Sequence, residues 1–223
     1  MNKMNRLTVF PAPNPNGSAV IVCPGGSYCW LDYKGEGLST AHWLQQQGIT
    51  AFVLRYRVAT WWGWFSHYRC LFRGNRYPDP QNDLLQAMTW VRDHAKDYSI
   101  LPDHIGLMGF SAGGHLVMSV VTDAATAARL PYRPAFIAPI YPVVSFVEPC
   151  MHKRSRRGLI GEWAFVQKSL CDQLSLERHV PEDCPPVFLA NCKDDPTVDC
   201  HNSELLDGAL SQHNVRHEYH QYP

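Results

Sequence analysis

The chain has 223 residues, 45% of them hydrophobic and 18% charged, which is enough apolar material to bury a sizeable core and excludes a disordered or collagen-like chain. Lys+Arg 20 balance Asp+Glu 20, so no global basic field exists to hold nucleic acid or an anionic membrane surface. No run approaches the roughly 20 apolar residues that span a bilayer, and the N-terminal MNKMNRLTVFPAPNPNG lacks the apolar segment of a signal peptide. These features lead us to expect one cytoplasmic domain whose eight cysteines are mostly reduced. Cys192 and Cys200 flank one loop and are the pair considered for a bridge. Without paired short cysteine spacings, no zinc site is expected.

Apolar runs of strand length alternate with helical patterns along the chain. Ala19–Cys23 reads as a buried strand, followed by a Gly-rich turn and a helix from about Glu36 to Gln47. Gly48 fits a helix stop, and Thr50–Leu54 is the next strand. From Asp79 to about Tyr98, Leu84, Leu85, Met88, Val91 and Ala95 keep helical spacing, with Asp79 as the expected N-cap and Pro80 at the first helical position. A strand at His104–Gly109, a helix after Ser111, and strands at Ala135–Tyr141 and Val187–Asn191 follow. A helix near Cys200–His213 and a final strand at Val215–Tyr222 complete the series. Strands separated by helices imply a mostly parallel sheet with right-handed crossovers, a three-layer α/β/α sandwich. The segments 60–76 and 145–181 break the rhythm and are expected as excursions over the C-terminal edge of the sheet.

Gly109-Phe110-Ser111-Ala112-Gly113 is a G-x-S-x-G sequence between a predicted strand and a predicted helix. The small residues allow a sharp turn that lifts the Ser111 hydroxyl clear of the sheet, while the helix N-terminus behind it offers unpaired N–H groups. The same five residues also suit a glycine-rich helix entry with serine as a plain cap, but the strand–turn–helix context favours a nucleophile. Cys23-Pro24-Gly25-Gly26-Ser27-Tyr28 follows the first predicted strand, and its glycines let backbone amides face a site. An ordinary turn would satisfy the same residues. Lys193-Asp194-Asp195-Pro196-Thr197-Val198 follows an apolar strand and puts a carboxylate at its C-terminal end. Asp195 is preferred over Asp194 as the acid that orients a histidine, although two acids in a loop also suit a solvated turn.

In this order, CPGGSY…GEG, Tyr56-Arg57, RYPDP…D, GFSAGGHL and DDPTV resemble the α/β-hydrolase superfamily, and more narrowly its esterase/lipase branch with acetyl-xylan-esterase-like carbohydrate esterases. The resemblance implies serine carboxylester hydrolysis of acetyl or other short acyl groups, with acetylated oligosaccharides among the substrates and no metal or organic cofactor. It also implies that Ser111 attacks the acyl carbon, that the backbone N–H groups of Gly26, Ser27 and Ala112 hold the oxyanion, and that Asp195 orients the base. Ser27 stands where the pattern carries a third glycine. The aromatic insert with Trp61, Trp62, Trp64 and Phe65 suits stacking on a sugar or aryl ring, and equally suits covering apolar surface or a subunit contact.

The histidine that must accept the serine proton is not identified. His115 is expected as a packing or helix-surface residue on the helix after the turn. His42, His94 and His104 precede the acid, and His201 and His213 flank the following helix. His217 and His220 lie in a strand-like run. Relatives place the base in a turn after that strand, so the histidine is expected just beyond Pro223, with His220 as the fallback. The remaining alternative is a non-catalytic relative that binds a sugar or small ester.

Overall fold

The computed structural model describes residues 6–59, 74–161 and 168–223. Seven strands, β1 (Leu7–Phe10), β2 (Ala19–Cys23), β3 (Thr50–Leu54), β4 (Ile105–Phe110), β5 (Ile137–Ile140), β6 (Val187–Cys192) and β7 (His217–Tyr222), form one sheet in the order β1-β3-β2-β4-β5-β6-β7. Every pairing is parallel except β1 against β3. The strand β1 is absent from the sequence reading. It is a four-residue edge strand, half-buried throughout and followed by Pro11, so it carries little of the buried-run signal that marks β2 and β3.

Helices α1 (Ser39–Gln46), α2 (Asp79–Asp93), α3 (Ala112–Thr122), α4 (Ala124–Ala127), α5 (Lys153–Ile160), α6 (Lys168–Gln173) and α7 (His201–Gln212) lie between the strands. Side-chain alternation along β2 divides the core between the two faces of the sheet. Val20 and Val22 pack with Ala41 and Leu44 of α1, while Ala19, Ile21 and Cys23 join Leu84, Met88, Leu116, Val120, Leu206 and Leu210 on the opposite face. Each fully buried leucine there contributes about 1.5–3 kcal/mol relative to exposure. Among the described residues no helix is long and apolar enough to cross a membrane.

Two helix starts differ from expectation. The stretch leading into α1 is a π-helical turn over Tyr33–Leu38, so the helical path begins before Glu36. The cap of α2 is Pro78, with Asp79 already inside the helix. The Asp79 carboxylate pairs with Arg57 at 2.8 Å instead of capping. Beyond Asp93 the chain continues as a 3-10 turn at Ala95–Tyr98, short of a continuous helix to Tyr98. Strand β5 is also shorter than the expected Ala135–Tyr141.

Within 145–181, α5, α6 and a 3-10 turn at Leu176–Arg178 are formed. Trp61, Trp62, Trp64 and Phe65 of the aromatic insert lie outside the described residues. Cys192 and Cys200 are both free thiols.

Candidate active site

Strand β4 ends at Phe110 and α3 begins at Ala112, leaving Ser111 alone between them with φ 51° and ψ −117°. A serine in this left-handed region is strained and persists because its surroundings leave it no alternative. Its N–H donates to the Ile140 carbonyl at 3.0 Å, and its carbonyl accepts from His115 and Val143 at 3.1 and 3.2 Å. The turn also requires backbones to touch. A side chain at Gly109 would strike the Gly113 carbonyl, and one at Gly113 would strike the Cys23 carbonyl.

Ser111 opens into a pocket of about 260 Å³ shared with Gly26, Ser27, Trp30, Asp32, Glu36, Tyr141, Arg154, Asp195, Thr197 and Val198. Four of the five residues singled out from sequence thus line one cavity. The fifth, Ala112, is fully buried at the first position of α3, directly after Ser111. Among the described residues no acceptor takes the N–H of Gly26, Ser27 or Ala112, although Ser27 is itself buried. These are amides of the kind that a developing oxyanion can engage.

The loop 25–28 is held at both ends. Gly26 has φ 128°, Ser27 φ 56° and Tyr28 φ 58°, three consecutive left-handed residues. At one end the Gly25 N–H donates to the Glu36 carboxylate, and the Gly25 carbonyl accepts from the Asp32 N–H at 3.0 Å. At the other end the Tyr28 hydroxyl meets His115 Nδ1 at 2.8 Å. His115 is fully buried, stacked on Phe146 at 4.7 Å, and serves this contact rather than the pocket.

Asp195, not the exposed Asp194, reaches the pocket. Its Oδ1 accepts the N–H groups of Thr197 at 2.7 Å and Val198 at 3.0 Å, a turn that fixes the carboxylate just after β6. Among the described residues no histidine lines this pocket. His220, the fallback base, lies outside: register with β6 sets it opposite Ala190, where its ring packs on Phe188 at 5.1 Å and faces Glu218 at 3.5 Å. His152 precedes α5 with Nδ1 on the Ser155 hydroxyl at 2.8 Å. Burial lowers its proton affinity, while the Asp195 charge acts in the opposite direction.

Glu36, Tyr141, Trp30 and Arg154 enter the site without having been singled out as site residues. Arg154 comes from the 145–181 segment and sits over the Trp30 ring at 5.7 Å. Burial raises the Glu36 carboxyl above its ordinary 4.5, opposed by hydrogen bonds from Tyr141 and Gly25. A sequence signal for Glu36 existed in the GEG stretch, but its partner Tyr141 lies 105 positions away. Among the described residues, Asp199, Cys200 and His201 at the start of α7 bring possible metal-donor atoms within 4.8 Å of one another. There His201 Nδ1 already meets the Asp199 carboxylate at 2.6 Å.

A family profile described as BD-FAE matches residues 14–210. The chain belongs to the BD-FAE family. An acetylxylan esterase of Xylanibacter ruminicola is 34% identical to this BD-FAE chain over 196 residues, covering 86% of it and 37% of that protein. The chain spans less than half the length of the curated relatives it matches. Among solved structures, an acetyl ester-xyloside bifunctional hydrolase from Caldicellulosiruptor lactoaceticus superposes with TM-score 0.81 at 32% identity, covering 97% of this chain and 76% of that one. A carboxylesterase from Lactobacillus plantarum, at 21% identity, gives TM-score 0.76 over 97% of this chain and 77% of its own, a likeness of fold. The α/β-hydrolase fold expected from the motif order is therefore the fold of this BD-FAE chain.

Proposed function

We propose that the protein is a serine carboxylester hydrolase that removes acetyl or other short acyl groups, with acetylated carbohydrate as its substrate class. The observation that carries the proposal is Ser111 itself. It sits on a left-handed turn at a helix N-terminus, in one pocket with unengaged backbone amides and a fixed carboxylate. The BD-FAE membership and the activities of the relatives support the ester and carbohydrate classes.

In this mechanism the Ser111 hydroxyl attacks the acyl carbon and gives its proton to a histidine base. The tetrahedral oxyanion takes the N–H groups of Gly26, Ser27 and Ala112, replacing water with fixed donors. Collapse expels the sugar alcohol, which recovers the proton, and water then hydrolyses the acyl-serine by the reverse sequence. Asp195 orients the imidazole and stabilises its charged form. This reading takes the base from the turn that the resemblance puts after β7, the strand whose Tyr222 carbonyl accepts the Lys193 N–H at 2.8 Å, two residues before Asp195.

One observation favours a second reading, a non-catalytic protein that binds a sugar or small ester: among the described residues no histidine lines the pocket. Hydrolysis of p-nitrophenyl acetate by the wild type and by Ser111→Ala separates the two. The esterase predicts a loss of roughly 1,000-fold or more in the variant. Equal rates, with acetylated xylo-oligosaccharide binding retained in both, support the binding protein.

A further inference from the structure

The Glu36 carboxylate is gripped from two sides of the pocket. Gly25 N–H donates to Oε2, and the Tyr141 hydroxyl donates to Oε1 at 2.8 Å. The π-helical turn over Tyr33–Leu38 brings Glu36 to this point, and Asp32 starts that turn by accepting the Gly35 N–H on its side chain at 3.0 Å. Such one-turn insertions recur at functional sites because they re-aim side chains that an α-helix would direct elsewhere. Both backbone groups of Gly25 are consequently bound to the 32–36 segment. A Cβ on Gly25 would lie 2.8 Å from Glu36 Oε2 and 3.0 Å from Ser111 Cβ, so the carboxylate and the serine press on the same loop residue.

The far end of the bridge also adjoins the segment that holds the nucleophile. Tyr141 follows Ile140, whose carbonyl holds the Ser111 N–H at 3.0 Å, and Tyr141 itself is left-handed at φ 35°. Its own N–H is taken by the Ala190 carbonyl of β6 at 2.6 Å. Glu36 therefore links the loop that carries Gly26 and Ser27 to the strand end that holds Ser111.

We propose that Glu36 is a positioning residue that sets the separation between the Gly26 and Ser27 amides and the Ser111 hydroxyl by bridging Gly25 to Tyr141. The proposal rests on the esterase reading and adds to it a residue that acts through Gly25 and Tyr141. Three consecutive left-handed residues hold their shape only while both ends of the loop are fixed. With the bridge removed, the loop relaxes and the donors leave the oxyanion position. Donors misplaced by a fraction of an ångström weaken transition-state binding more than ground-state binding, so kcat falls while KM holds.

The test uses the full chain with Glu36→Ala, Glu36→Gln and Tyr141→Phe, read by p-nitrophenyl acetate kinetics and by the amide proton resonance of Gly25. Wild type should show a downfield Gly25 amide, as a charge-assisted bond to a carboxylate requires. Glu36→Ala should lose that shift and lower kcat roughly 10- to 100-fold with KM within about twofold. Glu36→Gln should restore most of kcat, because its carbonyl accepts the Gly25 N–H and its amide donates to the Tyr141 oxygen, while its neutral carbonyl recovers the Gly25 shift only in part. Tyr141→Phe should lower kcat in the same direction without disturbing the fold. An unchanged Gly25 resonance in Glu36→Ala overturns the proposal, as does a raised KM with kcat intact, which would make Glu36 a substrate contact. If the wild type hydrolyses no ester, the esterase reading falls and the bridge is judged on the Gly25 resonance alone.

Discussion

The Tyr28 hydroxyl donates to His115 Nδ1 across 2.8 Å, and His115 Nε2 faces the Leu174 carbonyl at the same distance. A carbonyl only accepts, so Nε2 carries the proton and Nδ1 is left to receive the Tyr28 hydroxyl. The neutral imidazole is the form that satisfies both contacts, and burial pushes its pKa from the ordinary 6.5 down to about 4. Below pH 6.5 the unfolded chain takes up a proton that native His115 refuses until about pH 4. The stabilisation is thus complete above pH 6.5 and is lost as pH falls from 6.5 to 4, by about 3 kcal/mol in all. Urea unfolding across that window should show a steeper loss for wild type than for His115→Gln, which has no proton to take up. Equal slopes would mean that His115 does not titrate as its burial requires.

Arg57 and Asp83 account for two of the motifs that carried the resemblance, Tyr56-Arg57 and RYPDP…D. Asp83 is almost fully buried on α2 and accepts the Arg57 backbone N–H at 2.7 Å and its guanidinium at 2.9–3.0 Å. Arg6 adds a third donor at 2.9 Å. Removing Arg57 leaves a buried carboxylate with its main partner gone, a change that costs about 3–5 kcal/mol in comparable sites. Arg57→Leu should fall at the low end, about 3 kcal/mol by chemical denaturation, because Arg6 remains. Arg57→Lys should recover little, since an ammonium cannot reproduce the fork.

Ser27 stands in left-handed backbone where the family pattern has glycine. A non-glycine residue there costs about 1–2 kcal/mol, against about 0.5–1 kcal/mol of added chain freedom for glycine. Ser27→Gly should therefore raise stability by roughly 0.5–1 kcal/mol, and the β-branched Ser27→Val should lower it; thermal unfolding midpoints check both. A stabilising Ser27→Val would show that this backbone is not left-handed.

Gly113 bears on the turn at Ser111 directly. A methyl group at this position meets the Cys23 carbonyl, which is backbone and cannot swing aside. Gly113→Ala should destabilise the fold by more than the typical 1 kcal/mol of a point substitution. Gly208→Ala on α7, where a Cβ meets nothing within 4 Å, should be neutral or slightly stabilising.

Much of this architecture was legible because local chemistry repeats it. Uninterrupted apolar runs marked β2, β3 and β6, and the small residues around Ser111 have few uses other than a sharp strand-to-helix turn. What the sequence hid depends on distant partners. β1 is a half-buried edge strand with no apolar run of its own, and Asp79 left its capping role for Arg57. Glu36 has meaning only once Tyr141 is folded against it, and Arg154 reaches the pocket from a segment without readable periodicity. His220, the fallback base, packs against Phe188 and is not among the described residues that line the cavity.

The nucleophilic role of Ser111 is tested most directly by a fluorophosphonate probe followed by peptide mapping of the modified protein. The expected result is a single covalent adduct on the peptide containing Ser111, absent from Ser111→Ala and slowed by a competing acetyl ester. An unlabelled Ser111, or equal labelling of wild type and Ser111→Ala, would contradict the assignment.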